Sequence, residues 1–201
     1  VDAMRSDPGR PTRILVVDGE RTEEYSTGFC FIFHYANGYR RPDGALVIDA
    51  FTLPDFPDTL DMRRGIDGQA EEAPEAQLTR FILHPGRQEA EREILPAFPG
   101  EFPMINRART GKPYRYVYQI AEDPAQGRAL THGYAKYDLE TGRNLLLDLF
   151  PQLPGEPVFV ARPGATDEDD GWLLALTYDP DATRTYLNIY LAATLQSIAR
   201  L

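Results

Sequence analysis

Short runs in which apolar and polar residues alternate recur along the whole chain. Alternation with a period of two is typical of half-buried β-strands. Seventeen prolines and sixteen glycines supply breaks between the runs. The pattern predicts strands near Arg13–Val17, Cys30–His34, Ala45–Phe51, Gln77–His84, Arg92–Ala97, Arg115–Ile120, Gly133–Asp138, Asn144–Leu149, Pro157–Ala161, Trp172–Tyr178 and Arg184–Tyr190.

Turn signals predict that many of these strands are joined as hairpins. Asp-Gly at 18–19 and 43–44 and Thr-Gly at 141–142 stand between strand pairs. Only Asp58–Arg64 and Ala192–Ala199 are candidates for short helical turns, so nothing of helical length separates the strands. No linker or charge block divides the chain. One all-β unit is expected, and the pattern alone leaves sandwich, barrel and propeller open.

Composition narrows the class of protein. The chain has 201 residues, of which 42% are hydrophobic, enough for one ordinary core. Its net charge of -10 argues against nucleic acid as a partner. Cys30 is the only cysteine, so no internal disulfide can form. No apolar run approaches the roughly 18 residues that span a bilayer, and the first residues lack a signal peptide's apolar core. A soluble protein in the cytoplasm is the expectation.

Three residues stand out as candidates for chemistry. His34 ends the run Cys-Phe-Ile-Phe-His, Glu101 lies in Gly-Glu-Phe-Pro-Met-Ile-Asn, and Glu156 lies in Gly-Glu-Pro-Val-Phe-Val. Taken alone, His34 is more simply interpreted as a histidine packed among aromatics at a strand end, and Glu101 as a surface residue of its strand. Pro103 favours an extended backbone at Phe102.

Other polar and aromatic groups have plainer interpretations. Asp167, Glu168, Asp169 and Asp170 do not have the spacing of a calcium loop, which predicts a solvated turn. His84 and His132 are interpreted as loop or strand-end histidines. The phenylalanines that are candidates for lining an apolar tunnel, or for plain core, are Phe51, Phe56, Phe98 and Phe102.

Three motifs together resemble one known family. Residues 155–178 resemble a signature of the carotenoid cleavage oxygenases, which include the lignostilbene dioxygenases. Phe33, His34, Asn37 and Tyr39 resemble the family's Phe-His-x-x-Asn-Ala-Tyr element, with Gly38 in place of alanine. The run from Glu101 resembles its Glu-Phe-Pro-x-Ile-Asn element. The similarity extends from about residue 11 to about residue 190, and Arg40 and Arg41 depart from it where acidic residues are common.

The resemblance implies a fold, a metal and a reaction. It implies that His34 is one of four histidine ligands of Fe(2+), and that Glu101 and Glu156 are carboxylates supporting ligand histidines. The implied reaction is cleavage of a carbon–carbon double bond by dioxygen in a carotenoid, apocarotenoid or stilbene. The implied fold is a seven-bladed β-propeller. A four-stranded blade takes about 40–50 residues, so about three to four blades are expected here.

The same resemblance implies that the chain is the C-terminal portion of a propeller domain, lacking the final strand, with the other ligand histidines outside it. Two classes of function therefore remain: part of an iron-dependent dioxygenase, or a truncated or degenerate β-protein that acts as a binding module or has no function. Peripheral contact with a membrane, and association with further blades or with a second copy, are open as partners.

Overall fold

The protein is all-β. The computed structural model describes residues 7–56, 75–122 and 133–201, and these ranges contain fifteen strands and one short 3-10 turn at Arg107–Arg109. The strands are β1 (Thr12–Asp18), β2 (Arg21–Thr27), β3 (Phe31–Arg40), β4 (Leu46–Leu53), β5 (Gln77–Leu83), β6 (Glu91–Ile94), β7 (Gly100–Met104), β8 (Tyr116–Ala121), β9 (Gly133–Asp138), β10 (Asn144–Asp148), β11 (Leu153–Pro154), β12 (Val158–Ala161), β13 (Gly171–Asp179), β14 (Arg184–Leu191) and β15 (Ser197–Arg200).

The strands form a hairpin followed by three antiparallel sheets. β1 pairs with β2 alone. The first sheet has the order β3-β4-β5-β6, and the second has the order β7-β8-β9-β10. In the third sheet β13 pairs with both β11 and β12, and β14 and β15 follow. The first two sheets are meanders of strands in sequence order, and in the third β11 and β12 together pair along one side of β13 before β14 and β15 follow. Consecutive antiparallel sheets of this kind are the blade pattern of a β-propeller.

Consecutive sheets pack against each other through buried side chains. One core cluster joins the first and second sheets, and another joins the second and third. Burying a large apolar side chain stabilises a fold by about 1.5–3 kcal/mol, so each sheet depends on its neighbour. The residues that form these two interfaces include Phe51, Leu53, Leu78, Val117 and Tyr137 in the first, and Tyr118, Tyr134, Phe159, Leu173 and Tyr190 in the second.

The predicted strands are all present, but the alternation missed four others. β2, with the sequence Arg-Thr-Glu-Glu-Tyr-Ser-Thr, is mostly polar and exposed, so it carries no apolar period. β7 contains a glycine and a proline, which usually mark breaks. β11 has two residues and β15 is an exposed edge strand. The sheets therefore contain more complete blades than the eleven predicted strands would build.

The helical turn predicted at Ala192–Ala199 is wrong beyond its first residues. The N–H of Leu195 donates to the carbonyl oxygen of Leu191 at 2.8 Å, but Leu195 then takes a φ of +58° and the chain enters β15. The turn predicted at Asp58–Arg64 lies outside the described residues. The three glycine turns do join hairpins, with positive φ at Gly19, Gly44 and Gly142.

In the part of the chain that the structure describes, no helix has the length and apolar character to cross a membrane.

Candidate metal centre around His34

The three candidate residues lie at the start of successive sheets. His34 is on β3, Glu101 is on β7, and Glu156 lies between β11 and β12. β3 and β7 are the first strands of their sheets and contact each other. The order of blades along the chain thus places His34 and Glu101 on neighbouring edge strands.

His34 lies in an irregular part of β3. The register between β3 and β4 shifts between Ile32 and Tyr35, and again between Tyr35 and Asn37. Bulges of this kind re-aim side chains and are common beside functional sites. The side chain of His34 is 41% exposed.

His34 and Glu101 form a side-chain pair between the first two sheets. Nδ1 of His34 lies 3.0 Å from Oε2 of Glu101, whose side chain is only 16% exposed. An ionised carboxylate only accepts hydrogen bonds, so Nδ1 carries the proton when Glu101 is charged. Nε2 then keeps its lone pair, and it makes no hydrogen bond to a described residue. This is the tautomer in which an imidazole binds a metal through Nε2.

Glu101 is positioned by a close approach of two strands. Gly100 precedes it, and a Cβ atom at Gly100 would come within 2.1 Å of the carbonyl oxygen of Ile120 on β8. Only glycine fits there. After Glu101 the register shifts before Met104, so β7 leaves the ladder at this point.

The electrostatic environment of Glu101 is mixed. Burial raises the pKa of its carboxyl group, while the hydrogen bonds from His34 and from the N–H of Phe102 oppose that rise. The other oxygen, Oε1, is buried and has no hydrogen-bond partner among the described residues. Glu101 is therefore a carboxylate with spare acceptor capacity held against an imidazole.

The backbone at Phe102 differs from the prediction. Pro103 was expected to favour an extended conformation, but Phe102 has a φ of +58°. Its ring centroid lies 4.7 Å from that of His34, with 42° between the planes. Tertiary contacts override the local preference here.

Glu156 is exposed and makes no hydrogen bond to a described residue. The structure does not bring it to His34 or Glu101 in any recorded contact. Within residues 7–56, 75–122 and 133–201, no group of three or more His, Cys, Asp or Glu side chains is placed to hold a metal ion. His34 is thus a single candidate ligand with a supporting carboxylate.

Aromatic rings surround one side of His34. Phe33 is 41% exposed, and its ring lies 4.7 Å from Phe31 and 6.3 Å from Phe56. Phe56 and Phe102 are half-buried, and their place in an apolar tunnel stays a prediction. Phe51 is fully buried between the first two sheets. The backbone N–H of Phe98 donates to Asn144, and its carbonyl oxygen accepts from Gln119. Sequence reasoning named Phe33 only as part of the histidine motif and not among the phenylalanines of an apolar surface, although its place directly before His34 was a usable signal.

Asn37 anchors β3 three residues beyond His34. Its Nδ2 donates to the carbonyl oxygens of Arg109 and Lys112, and its Oδ1 accepts from the N–H of Gly111, each at 3.1 Å. Asn37 is buried. The asparagine of the histidine motif thus binds the turn that follows β7 in the next sheet.

The acidic loop at residues 167–170 was predicted to be a solvated turn, and this prediction is wrong. The loop makes a contact between sheets. Oε1 of Glu168 accepts from the backbone N–H groups of Arg115 and Tyr116 at 2.7 and 2.9 Å. Nζ of Lys136 lies 2.5 Å from Asp169 and 4.0 Å from the ring of Tyr116. Glu168 and Asp169 therefore serve the interface between the second and third sheets, whereas Asp167 is exposed and Asp170 pairs with Arg162 of its own sheet.

The remaining predicted groups lie away from His34. Arg40 donates to the carbonyl oxygen of Gly44, and Arg41 pairs with Asp43, so both belong to the β3–β4 turn. Six residues of strand place that turn about 20 Å from His34. His84 directly follows β5 and pairs with Glu91 at 3.2 Å, which agrees with a strand-end histidine. His132 lies outside the described residues.

Comparison with protein families places the chain clearly. The model of the family described as retinal pigment epithelial membrane protein matches residues 1–201. The apocarotenoid-15,15'-oxygenase of Synechocystis sp. is 33% identical over 194 residues, covering 94% of this chain and 39% of that protein. A carotenoid dioxygenase of Neurospora crassa is 30% identical, covering 100% of this chain and 39% of that protein.

Solved structures agree. Cobalt-substituted Synechocystis ACO superposes with a TM-score of 0.86 at 33% identity, covering 97% of this chain and 42% of that one. The chain spans about two fifths of the length of the curated relatives it matches. The all-β prediction and the partial propeller are confirmed by the sheet pattern together with these neighbours. The chain belongs to the carotenoid oxygenase family, whose family model is described as retinal pigment epithelial membrane protein.

Proposed function

We propose that this chain forms part of a non-haem Fe(2+)-dependent dioxygenase that cleaves a carbon–carbon double bond of a carotenoid, apocarotenoid or stilbene with dioxygen. His34 supplies one metal ligand through Nε2. Glu101 supports that ligand, and Glu156 supports another. Relatives described as an apocarotenoid-15,15'-oxygenase and as carotenoid dioxygenases support the reaction class.

The observation that carries the proposal is the pair between His34 and Glu101. A ligand histidine in a metal site almost always donates its second ring N–H to a carboxylate, carbonyl or water. Nδ1 of His34 lies 3.0 Å from a largely buried carboxylate, and its ring is still 41% exposed. This arrangement leaves Nε2 as the ring nitrogen available to a metal.

His34 fits a ferrous ion as one member of a larger donor set. A neutral imidazole is a suitable ligand for iron. The carboxylate of Glu101 lies against the imidazole of His34, and its Oε1 has no hydrogen-bond partner among the described residues. When ionised, it places a negative charge beside the ring whose Nε2 is the proposed ligand atom. The structure of cobalt-substituted Synechocystis ACO, a relative of this chain, supports a divalent metal in the family's metal site. The site that we propose takes its other ligands from outside the described residues.

The chain's own residues would bind and orient the reactants. Phe31, Phe33 and Phe56 form an apolar surface beside His34 that suits a conjugated hydrocarbon and excludes water. Glu101 holds the imidazole in one tautomer, which keeps Nε2 unprotonated. The chemistry that ferrous iron supplies when bound is activation of dioxygen for addition across a double bond, giving two carbonyl products.

The test is metal content and turnover in the protein expressed from its complete reading frame. The protein is loaded with Fe(2+) without oxygen and desalted, and iron is measured by elemental analysis. Oxygen-dependent cleavage is then followed with an apocarotenal and with a hydroxylated stilbene. We expect iron and turnover to be lost in His34→Ala and kept in His84→Ala, which removes the other described histidine.

Full iron and turnover in His34→Ala would overturn the ligand assignment. Absence of both in the unaltered protein, with a folded and monomeric state, would favour the alternative of a non-catalytic binding module.

A further inference from the structure

Phe102 has a backbone conformation that its sequence does not favour. Its φ of +58° lies in the left-handed region, which is uncommon for a bulky residue and strained for any residue except glycine. It stands between Glu101 and Pro103, where an extended backbone is the local preference. Strain of this kind persists only where the surrounding structure enforces it, and it concentrates at functional sites.

The unusual conformation brings Phe102 to both members of the His34–Glu101 pair. Its N–H lies 3.2 Å from Oε2 of Glu101, the same oxygen that accepts from Nδ1 of His34. Its ring centroid lies 4.7 Å from the imidazole. Two donors therefore converge on one carboxylate oxygen, and one residue provides both a donor and a packing surface.

An extended strand could not provide both contacts. Consecutive side chains of a regular strand point to opposite faces of the sheet. Glu101 reaches the imidazole from β7, so the next side chain of a regular strand would point away from it. The left-handed turn at Phe102, with the register shift that follows Glu101, places its ring on the side of His34.

We propose that Phe102 is a positioning residue for His34: its N–H holds the Glu101 carboxylate against Nδ1 and its ring fixes the plane of the imidazole. Nε2 is thereby kept as the nitrogen available to a metal. The inference rests on the proposed metal role of His34, but the tautomer and ring order that it predicts belong to the metal-free protein.

Nitrogen-15 spectra of labelled histidine test this without metal. The tautomer of His34 is read at one pH from the long-range couplings of its two ring nitrogens, with His34→Gln used for assignment. Alanine is also strained at positive φ, so Phe102→Ala, which removes the ring packing, lets the backbone leave the left-handed conformation and lose the N–H bond to Glu101. We expect the ratio of the Nε2–H to the Nδ1–H tautomer to rise about fivefold, as for loss of one hydrogen bond.

Two further variants separate the backbone from the ring. Phe102→Gly accepts a positive φ without strain, so it should keep the tautomer but lose ring order. Phe31→Leu removes a ring from the same aromatic cluster that has no recorded contact with His34, and it should change neither. Its unchanged spectrum also shows that loss of one ring leaves the fold intact.

An unchanged tautomer and unchanged ring order in both Phe102 variants would overturn the inference, whatever the iron content. A changed tautomer, together with no iron bound by the protein from the complete reading frame, would refute the proposed function and leave the positioning role standing.

Discussion

Nδ1 of His34 lies 3.0 Å from Oε2 of Glu101, although the two residues are 67 positions apart in the sequence. His34 lies on the first strand of the first sheet and Glu101 on the first strand of the second, so the pair joins two neighbouring blades. A second pair, His84 with Glu91, has similar chemistry at 3.2 Å but lies within one sheet. The His84–Glu91 pair therefore serves as a control that separates a metal-supporting role of the His34–Glu101 pair from simple histidine–carboxylate pairing.

Glu101→Gln should weaken iron binding by about 10–100-fold, the usual effect of losing a carboxylate that supports a ligand histidine. The amide keeps the volume but loses the charge that favours Nδ1–H. Iron affinity measured by competition with a chelator checks this, and Glu91→Gln is the matched control. Equal affinities of the two variants would contradict a supporting role for Glu101.

Glu156→Gln should also weaken iron binding by about 10–100-fold in the protein from the complete reading frame. Because Glu156 is exposed and has no recorded partner here, the free energy of unfolding of the 201-residue chain should change by less than about 0.5 kcal/mol. Chelator competition and urea unfolding measure the two quantities. Glu20→Gln, in the β1–β2 turn, is the control, and an iron affinity equal to that of this control would remove Glu156 from the site.

Tyr114→Phe should destabilise the interface between the first two sheets by about 1.5–3 kcal/mol, because it removes a hydrogen bond to a charged group. The hydroxyl of Tyr114 donates to Oδ2 of Asp49 at 2.6 Å, and Arg80 binds both oxygens of the same fully buried carboxylate at 2.8 Å. Urea unfolding measures the loss.

Tyr39→Phe is the control for this change, since its ring packs edge-on against Tyr114 at 6.2 Å and its hydroxyl makes no hydrogen bond to a described residue. Similar losses from both tyrosines would mean that packing, and not the bond to Asp49, carries the effect.

Glu122 should make the protein less stable as the pH rises from about 4.5 to 7. Burial, with the nearby charges of Glu75 and Glu101, raises its pKa to about 7. Its protonated form is favoured by folding, so its contribution is complete below the unfolded pKa of 4.5 and is lost as the pH rises through 7. The shift corresponds to about 3 kcal/mol.

Urea unfolding across this pH range should show a shallower fall in Glu122→Gln than in the unaltered chain. Some slope should remain, because burial also raises the pKa of Glu101. Glu140→Gln, at an exposed position, should keep the full slope. A Glu122→Gln profile parallel to that of the unaltered chain would exclude Glu122 as its source.

Glu168→Gln should destabilise the contact between the second and third sheets by about 1.5–3 kcal/mol, since hydrogen bonds to a charged group are lost. Its carboxylate accepts two backbone N–H groups and lies 3.2 Å from Nε of Arg109. Asp167→Asn, in the same loop but exposed, should cost less than about 0.5 kcal/mol. A loss as large from Asp167→Asn would mean that loop charge as a whole, and not this contact, matters.

Local pattern was a reliable guide wherever one face of a strand is buried. Trp172–Tyr178 was predicted to within one residue at each end of β13 because its buried positions alternate with the pleat, whereas Gly133–Asp138 was predicted to the residue although both of its faces are buried. β2 and β7 were missed because one is mostly polar and the other contains Gly100 and Pro103, which usually break strands. The acidic loop was misjudged because sequence shows four charges in a row but not the backbone N–H groups that meet Glu168.

By itself, the sequence determined the all-β class, the hairpin turns and, through its motifs, the family to which the chain belongs. These depend on residues that are neighbours along the chain, where alternation and turn chemistry act directly. Only the tertiary structure decided that Glu101 meets His34, that Asn37 binds the next sheet and that Phe102 turns left-handed. Each of these results from packing between blades, and packing energy between residues distant in sequence overrides the local preference of any one of them.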